Sequence, residues 1–264
     1  MREFIFFICV CVGFIACKGQ DFHYNLESPD QQLKLNKKLN EVSGLVSISD
    51  SSIAAVQDEK AVIYFLNPAS GEIMDSFDFG KDADFEGLTF YENRFYALRS
   101  DGSIYSVSET HEKQKFKFKK EGDFEFEGIC LDKENKRLLV ACKAHAKKSK
   151  RDYIYIYTFS LDKHAFDEKP LFKIKQDRVH RKFKPSAIGV DPDGFIYVLS
   201  SFSKTLLVLS DSGNILQNIQ LTKSLFPQAE GLTFNDQGDL FISNEKSEKP
   251  ANVLVFKRKK SNSD

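Results

Sequence analysis

A phrase of three residues, an acidic or hydroxyl residue followed by a small one and then an aliphatic one, recurs five times along this chain. The copies are Ser43-Gly44-Leu45, Glu86-Gly87-Leu88, Glu127-Gly128-Ile129, Ser186-Ala187-Ile188 and Glu230-Gly231-Leu232, at spacings of 43, 41, 59 and 44 residues. A period near forty marks a repeat architecture. After each copy come short apolar stretches: "GLTF", "RFYAL", "SIYSV" and "QKFKFK" in the second unit, "AIGV", "FIYVLS", "KTLLVLS" and "NILQNIQL" in the fourth. Their β-branched and aromatic residues alternate with polar ones and are parted by clusters such as "DPDG", "DSGN" and "PASG", so they read as strands joined by hairpins. Four strands per unit is the blade of a propeller. The expected fold is therefore all-β, a five-bladed β-propeller.

The last unit runs out after three strands, "EGLTF", "DLFIS" and "ANVLVFK". Ahead of the first phrase, "QQLKLNKK" alternates Leu33 and Leu35 with polar residues as a half-buried strand does. Residues 32–38 are expected to pair with 251–258 and close the ring; a frayed N-terminal tail is the alternative. A length of 264 residues suits one such domain, with 25 Phe and 9 Tyr to fill its core, and the absence of Trp disfavours the WD type.

At the N-terminus Arg2 precedes an uncharged, mostly apolar run from Phe4 to Ala16, which reads as a signal peptide too short to span a bilayer. Phe14-Ile15-Ala16-Cys17 resembles a bacterial lipobox, with Cys17 the lipidated residue and Phe14 where an aliphatic residue is usual. The division is 1–16 lipoprotein signal peptide, 17–30 tether and 31–264 propeller domain. A lipid-anchored protein of the bacterial cell envelope, at the outer membrane and monomeric, is the expectation; simple secretion is the alternative.

With the leader removed and Cys17 committed to lipid, Cys130 and Cys142 remain. A hairpin turning at Lys133 to Lys136 sets Cys130 opposite Leu139 and leaves Cys142 out of register, which favours free buried thiols over a disulfide. Formal charge is zero, yet residues 111–184 carry 21 Lys and Arg against 12 Asp and Glu. The dense pieces are Lys143 to Arg151 and Lys173 to Lys184. They are solvated loops or a patch for an anionic glycan or lipid of the cell surface; nucleic acid is not expected.

The innermost strand of each blade lines a propeller's channel, so the five phrases converge near one axis, where Gly permits close backbone approach. Ser43, Glu86, Glu127, Ser186 and Glu230 are then neighbours. The ends of the second strands bring Asp58, Glu59, Arg99, Lys143, Ser201, Asn244 and Glu245 to the same mouth. Crowded carboxylates must be paired or bind a cation. Calcium, held by Glu86, Glu127 and Glu230 with Glu59 or Glu245, is one answer. Ion pairs of Arg99 with Glu86 and Lys143 with Glu127 are the other. No His or Cys is placed for zinc, and "DPDG" at 191–194 is expected to be a hairpin turn, not a calcium loop.

The run "FPQAEGLTFNDQGDLFISNE" from Phe226 to Glu245, with "DFEGLTF", "FEFEGIC", "EVSGL" and "AVQDEKAVIYFL", resembles the SdiA-regulated family of bacterial exported propellers over nearly all of residues 40–257. The resemblance implies five blades, a distant relation to NHL-repeat proteins and a calcium site near the axis. It carries Glu127 and Glu230 over as acidic positions, with Glu86, Glu245 and Lys143 beside them; Arg99 stands where the family often has an acid. Three functions follow as expectations. The first is a calcium-binding, lipid-anchored propeller that recognises an unidentified ligand. The second is a calcium-dependent hydrolase of lactones or esters, with no assigned catalytic residue beyond Glu245 or Asp58 as base. The third is a structural envelope protein without metal.

Overall fold

The computed structural model describes residues 22–259 apart from 109 and 111. Strand β1 (Gln31–Lys34) comes first. Blade one is β2 (Val42–Ser49), β3 (Ser52–Gln57), β4 (Val62–Leu66) and β5 (Ile73–Asp78). Blade two is β6 (Phe85–Tyr91), β7 (Arg94–Arg99), β8 (Ile104–Ser108) and β9 (Lys113–Phe116). Blade three is β10 (Glu125–Asp132), β11 (Arg137–Ala144) and β12 (Tyr153–Ser160), whose outer edge is shared by β13 (Ala165–Phe166) and β14 (Phe172–Lys175). Blade four is β15 (Ala187–Val190), β16 (Ile196–Ser200), β17 (Thr205–Leu209) and β18 (Ile215–Gln220). Blade five is β19 (Ala229–Phe234), β20 (Leu240–Asn244) and β21 (Asn252–Phe256), completed by β1.

The five blades form the expected propeller, each a meander of antiparallel strands. Its core is divided among five buried clusters, one between each pair of neighbouring blades. Ile53, Leu66 and Val42 meet Val253 and Phe241 across the seam of blades one and five, whereas Leu98 and Ile104 meet Val140 and Tyr157 between blades two and three. Period-two alternation explains this, because each strand sends successive side chains to opposite faces and so to opposite neighbours. Each fully buried Leu, Ile or Phe contributes about 1.5–3 kcal/mol.

Closure occurs as expected, with a shorter strand: Gln31 pairs with Val255 and Lys34 with Asn252, and Leu35 N–H adds a bond to Ala251 O at 3.0 Å. Residues 37–39 turn into a 3-10 helix capped by Asn36, whose side chain accepts from Lys38 N–H, so the pairing stops there. The described part of the segment assigned as tether is packed. Tyr24 and Leu26 are buried against Tyr197, Phe226 and Phe256, and Tyr24 donates to Gly238 O at 2.6 Å. The signal peptide and Cys17 lie outside the described residues, as do Glu109, His111 and residues 260–264. Among the described residues no helix is long and apolar enough to cross a membrane.

The 133–136 hairpin forms, Cys130 pairs with Leu139, and both Cys130 and Cys142 are free and buried. The 191–194 segment is a turn, with Gly194 N–H on Asp191 O and Asp191 Oδ1 accepting from Asp193 and Phe195 N–H. Of the second basic piece, Lys173 and Lys175 sit on β14 itself and the remainder on the connection to β15.

Candidate ligand site at the acidic end of the channel

In four blades the first residue of the recurring phrase is the extra residue of a β-bulge. Val42 pairs with Gln57 and Gly44 with Val56, leaving Ser43 unpaired; Glu86, Glu127 and Glu230 are skipped in the same way between Phe85 and Gly87, Phe126 and Gly128, and Ala229 and Gly231. A bulge bends its strand and re-aims one side chain. The small residue that follows touches the next blade: a Cβ on Gly44 would lie 2.7 Å from Gly87 Cα, and one on Gly128 would lie 2.9 Å from Ile188 N. The ring so formed leaves about 10 Å³ on the axis, about the space of one water, so the channel is closed and has two separate ends.

The two serines of the phrase are latches between blades. Ser43 Oγ donates to Phe85 O at 2.6 Å and Ser186 Oγ to Ala229 O at 2.8 Å. Their hydroxyls are engaged with neighbouring backbone, so the carboxylates of the other three units carry the chemistry. Of the two expected ion pairs one forms: Lys143 Nζ donates to Glu127 Oε1. The other does not, because Arg99, at the end of β7, turns onto Asp101 of its own hairpin at 2.9 Å.

Among the described residues Glu86 and Glu230 are thus left without a cation in contact. Burial pushes the Glu86 carboxyl up to about 8, helped by a hydrogen bond and charge from Asp84 and opposed by Lys143. Burial also raises Glu230 to about 7, against the Ser201 hydroxyl that hydrogen-bonds it and the charges of Lys143 and Lys204. Glu245, which accepts from Gln228 Nε2, rises to about 8 through burial and the charges of Glu230, Asp58 and Glu41. Asp58 rises to about 6 through burial and its neighbours Glu41 and Glu59. Glu59 itself is exposed, its N–H bonded to Gln57 Oε1, and its charge raises Asp58. Asn244 is fully buried, with Nδ2 on Leu225 O and Asn252 Oδ1.

Glu41, Asp84 and Lys204 belong to this site and escaped the sequence reading. Glu41 and Asp84 each lie two residues before a phrase, at Ser43 and Glu86. Period-two alternation, applied backward from the phrase, is the signal that finds them.

The donors are hard oxygens of the kind calcium takes, and Asp58 Oδ1 is buried without a hydrogen-bond partner. Glu127 is engaged by Lys143, so a cation here would be held by Glu86, Glu230, Glu245 and Asp58. Among the described residues no three His, Cys, Asp or Glu side chains already converge closely enough to hold a metal ion.

Comparison with known proteins bears on the fold and the family. The family model described as SdiA-regulated matches residues 17–256. The chain belongs to the SdiA-regulated family. No curated sequence matches this SdiA-regulated protein. Among solved structures it is similar to the glutaminyl cyclase of Myxococcus xanthus, with a TM-score of 0.64, 14% identity, and coverage of 88% of this chain and 97% of that one. A luciferin-regenerating enzyme superposes with a TM-score of 0.55 at 10% identity, covering 89% of this chain and 98% of that one. A chain of a nidogen/laminin complex gives 0.54 at 13% identity, covering 81% and 74%. At such identities the likeness is one of fold.

Proposed function

We propose that this SdiA-regulated protein is a cell-envelope propeller whose acidic channel end binds calcium and, around it, an unidentified ligand. The observation that carries the reading is the set of bulges that aim Glu86 and Glu230 into one mouth with Asp58 and Glu245. Lys143 is already spent on Glu127 there. Buried carboxyls that lack a cationic partner take up either a proton or a cation. A bound calcium ion would neutralise them and offer open coordination positions to oxygen atoms of a ligand. Lipidation at Cys17 belongs to the same proposal. The seven residues from Cys17 to Tyr24 span at most about 25 Å, and Tyr24 is bonded to Gly238 at the opposite end of the channel, so such an anchor would leave the acidic end facing away from its membrane. The basic loops around Lys147 and Lys182 would then be available to an anionic glycan or lipid on that outward side.

Calorimetry with Ca²⁺ and thermal unfolding with and without chelator test the reading. At a hundredfold excess over Kd, Ca²⁺ is expected to raise the Tm by about 5–10 °C, and the effect should vanish in the Glu86→Gln/Glu230→Gln double variant. No calcium response would leave a charge network without metal. A second reading, a calcium-dependent hydrolase with Glu86, Glu230 and Glu245 on the ion and Asp58 as base, is favoured by the buried Asp58 Oδ1 that has no hydrogen-bond partner and by a carboxyl raised to about 6. Turnover of an ester or lactone panel that falls in Asp58→Asn while calcium still binds would select it.

A further inference from the structure

The end of the channel opposite the acidic mouth opens into a bowl of about 1210 Å³. Its floor is aliphatic, made by Leu45, Leu88, Ile129 and Leu232, the last residues of four of the recurring phrases. Phe90 and Phe234 stand in its wall, each half-buried. The rim is made by the hairpins that join first to second strands, with Asp211 of the β17–β18 turn beside them, and it is acidic. Asp132 is paired with Arg137 at 2.7 Å, and Asp193 is held by Arg258. Among the described residues Glu92, Glu134, Asp211 and Asp236, all exposed, have no ion-pair partner, and Lys133 is the one basic residue besides Arg137 that lines the bowl.

We propose that this bowl is a second binding site, for a small organic cation with an apolar body. An aliphatic and aromatic floor stabilises an apolar group by removing it from water, and is indifferent to charge. Four unpaired carboxylates above it supply the selection, attracting cations and repelling anions within about a Debye length. The axial ring separates this site from the acidic mouth, so it does not depend on whether calcium binds there.

Three probes with one aromatic body test it: 1-naphthylmethylammonium, 1-naphthylmethanol and 1-naphthoate, titrated into the full chain by calorimetry. The cation should bind tightest, about tenfold or more above the anion, with the gap narrowing as salt rises. In the Glu134→Lys/Asp236→Lys variant, whose changes sit on exposed turn residues and whose folding is checked by circular dichroism, the order should reverse. Absence of saturable binding by all three probes, equal affinity across them, or cation binding unchanged in the rim variant would overturn the proposal. In the last case the cation is held elsewhere, the acidic mouth included.

Discussion

Lys143 reaches from β11 across to the bulged Glu127 of β10 and donates its Nζ to Oε1, the one contact ion pair among the phrase glutamates. It neutralises Glu127 and, by charge alone, holds down the carboxyls of Glu86 and Glu230 as well. Removing it as Lys143→Met should cost roughly 1–3 kcal/mol in urea unfolding, less than a fully buried pair because the amine is 34% exposed. The Lys143→Met/Glu127→Leu double variant should recover most of that loss.

The carboxyl cluster gives a pH dependence of definite sign. Asp58, Glu230, Glu86 and Glu245 carry folded-state values of about 6, 7, 8 and 8 against 3.8 or 4.5 when unperturbed. The folded chain therefore holds protons that the unfolded chain has released. Without metal, the contribution of these carboxyls should be greatest below about pH 4 and be lost as pH rises through about 5 to 8. At pH 8, Glu230→Gln is expected to raise the calcium-free Tm by about 2–4 °C, the effect of about 1 kcal/mol. A melting series that rises through this window would contradict the assignment.

Close approach at the axis makes Gly44 intolerant of a side chain. Its Cβ would meet the backbone of the next blade at Gly87 Cα and Leu88 N, both at 2.7 Å, and backbone cannot rotate aside. Gly44→Ala should destabilise by about 1–3 kcal/mol. Ala187→Gly, at the matching position of blade four, should cost less than 1 kcal/mol, about the propensity difference alone.

Ring closure depends on a four-residue strand. Leu33 is 5% exposed and packs beside Leu35, Val253 and Val255. Leu33→Ala is expected to lose about 2–4 kcal/mol, with faster hydrogen exchange on the amides of β21 once its partner strand detaches.

The two thiols should be silent in the native state. Burial raises the Cys142 thiol to about 12 and pushes the Cys130 thiol well above its ordinary value. Ellman's reagent should find neither before unfolding and both after it, and reductant should leave the Tm unchanged.

Much of the fold was legible because it is written locally. Leu33 and Leu35 alternate as a strand must, the "DPDG" and "PASG" turns punctuate the hairpins, and the phrase repeats at the blade period. The position of Glu127 relative to Lys143 was legible for the same reason, since a hairpin sets the two side by side. Arg99 was misjudged because two partners were within its reach, and the chain alone cannot say that Asp101 of the same hairpin is nearer than Glu86. The serine latches were hidden too: Ser43 bonds a carbonyl 42 residues away, in a different blade.

The sequence by itself determined the number of blades, the strand that completes the ring and the residues that meet at its axis, all consequences of periodicity and turn chemistry. Only the tertiary structure decided what those axial residues do. Whether a phrase residue is a latch, one half of an ion pair or an unpaired carboxyl depends on which atoms of the next blade lie within hydrogen-bond distance. That distance is fixed by the angle at which five twisted sheets pack, not by any one of them. The bulges at four of the five phrases, the closure of the channel to about 10 Å³ and the separation of two unlike ends all follow from the same packing.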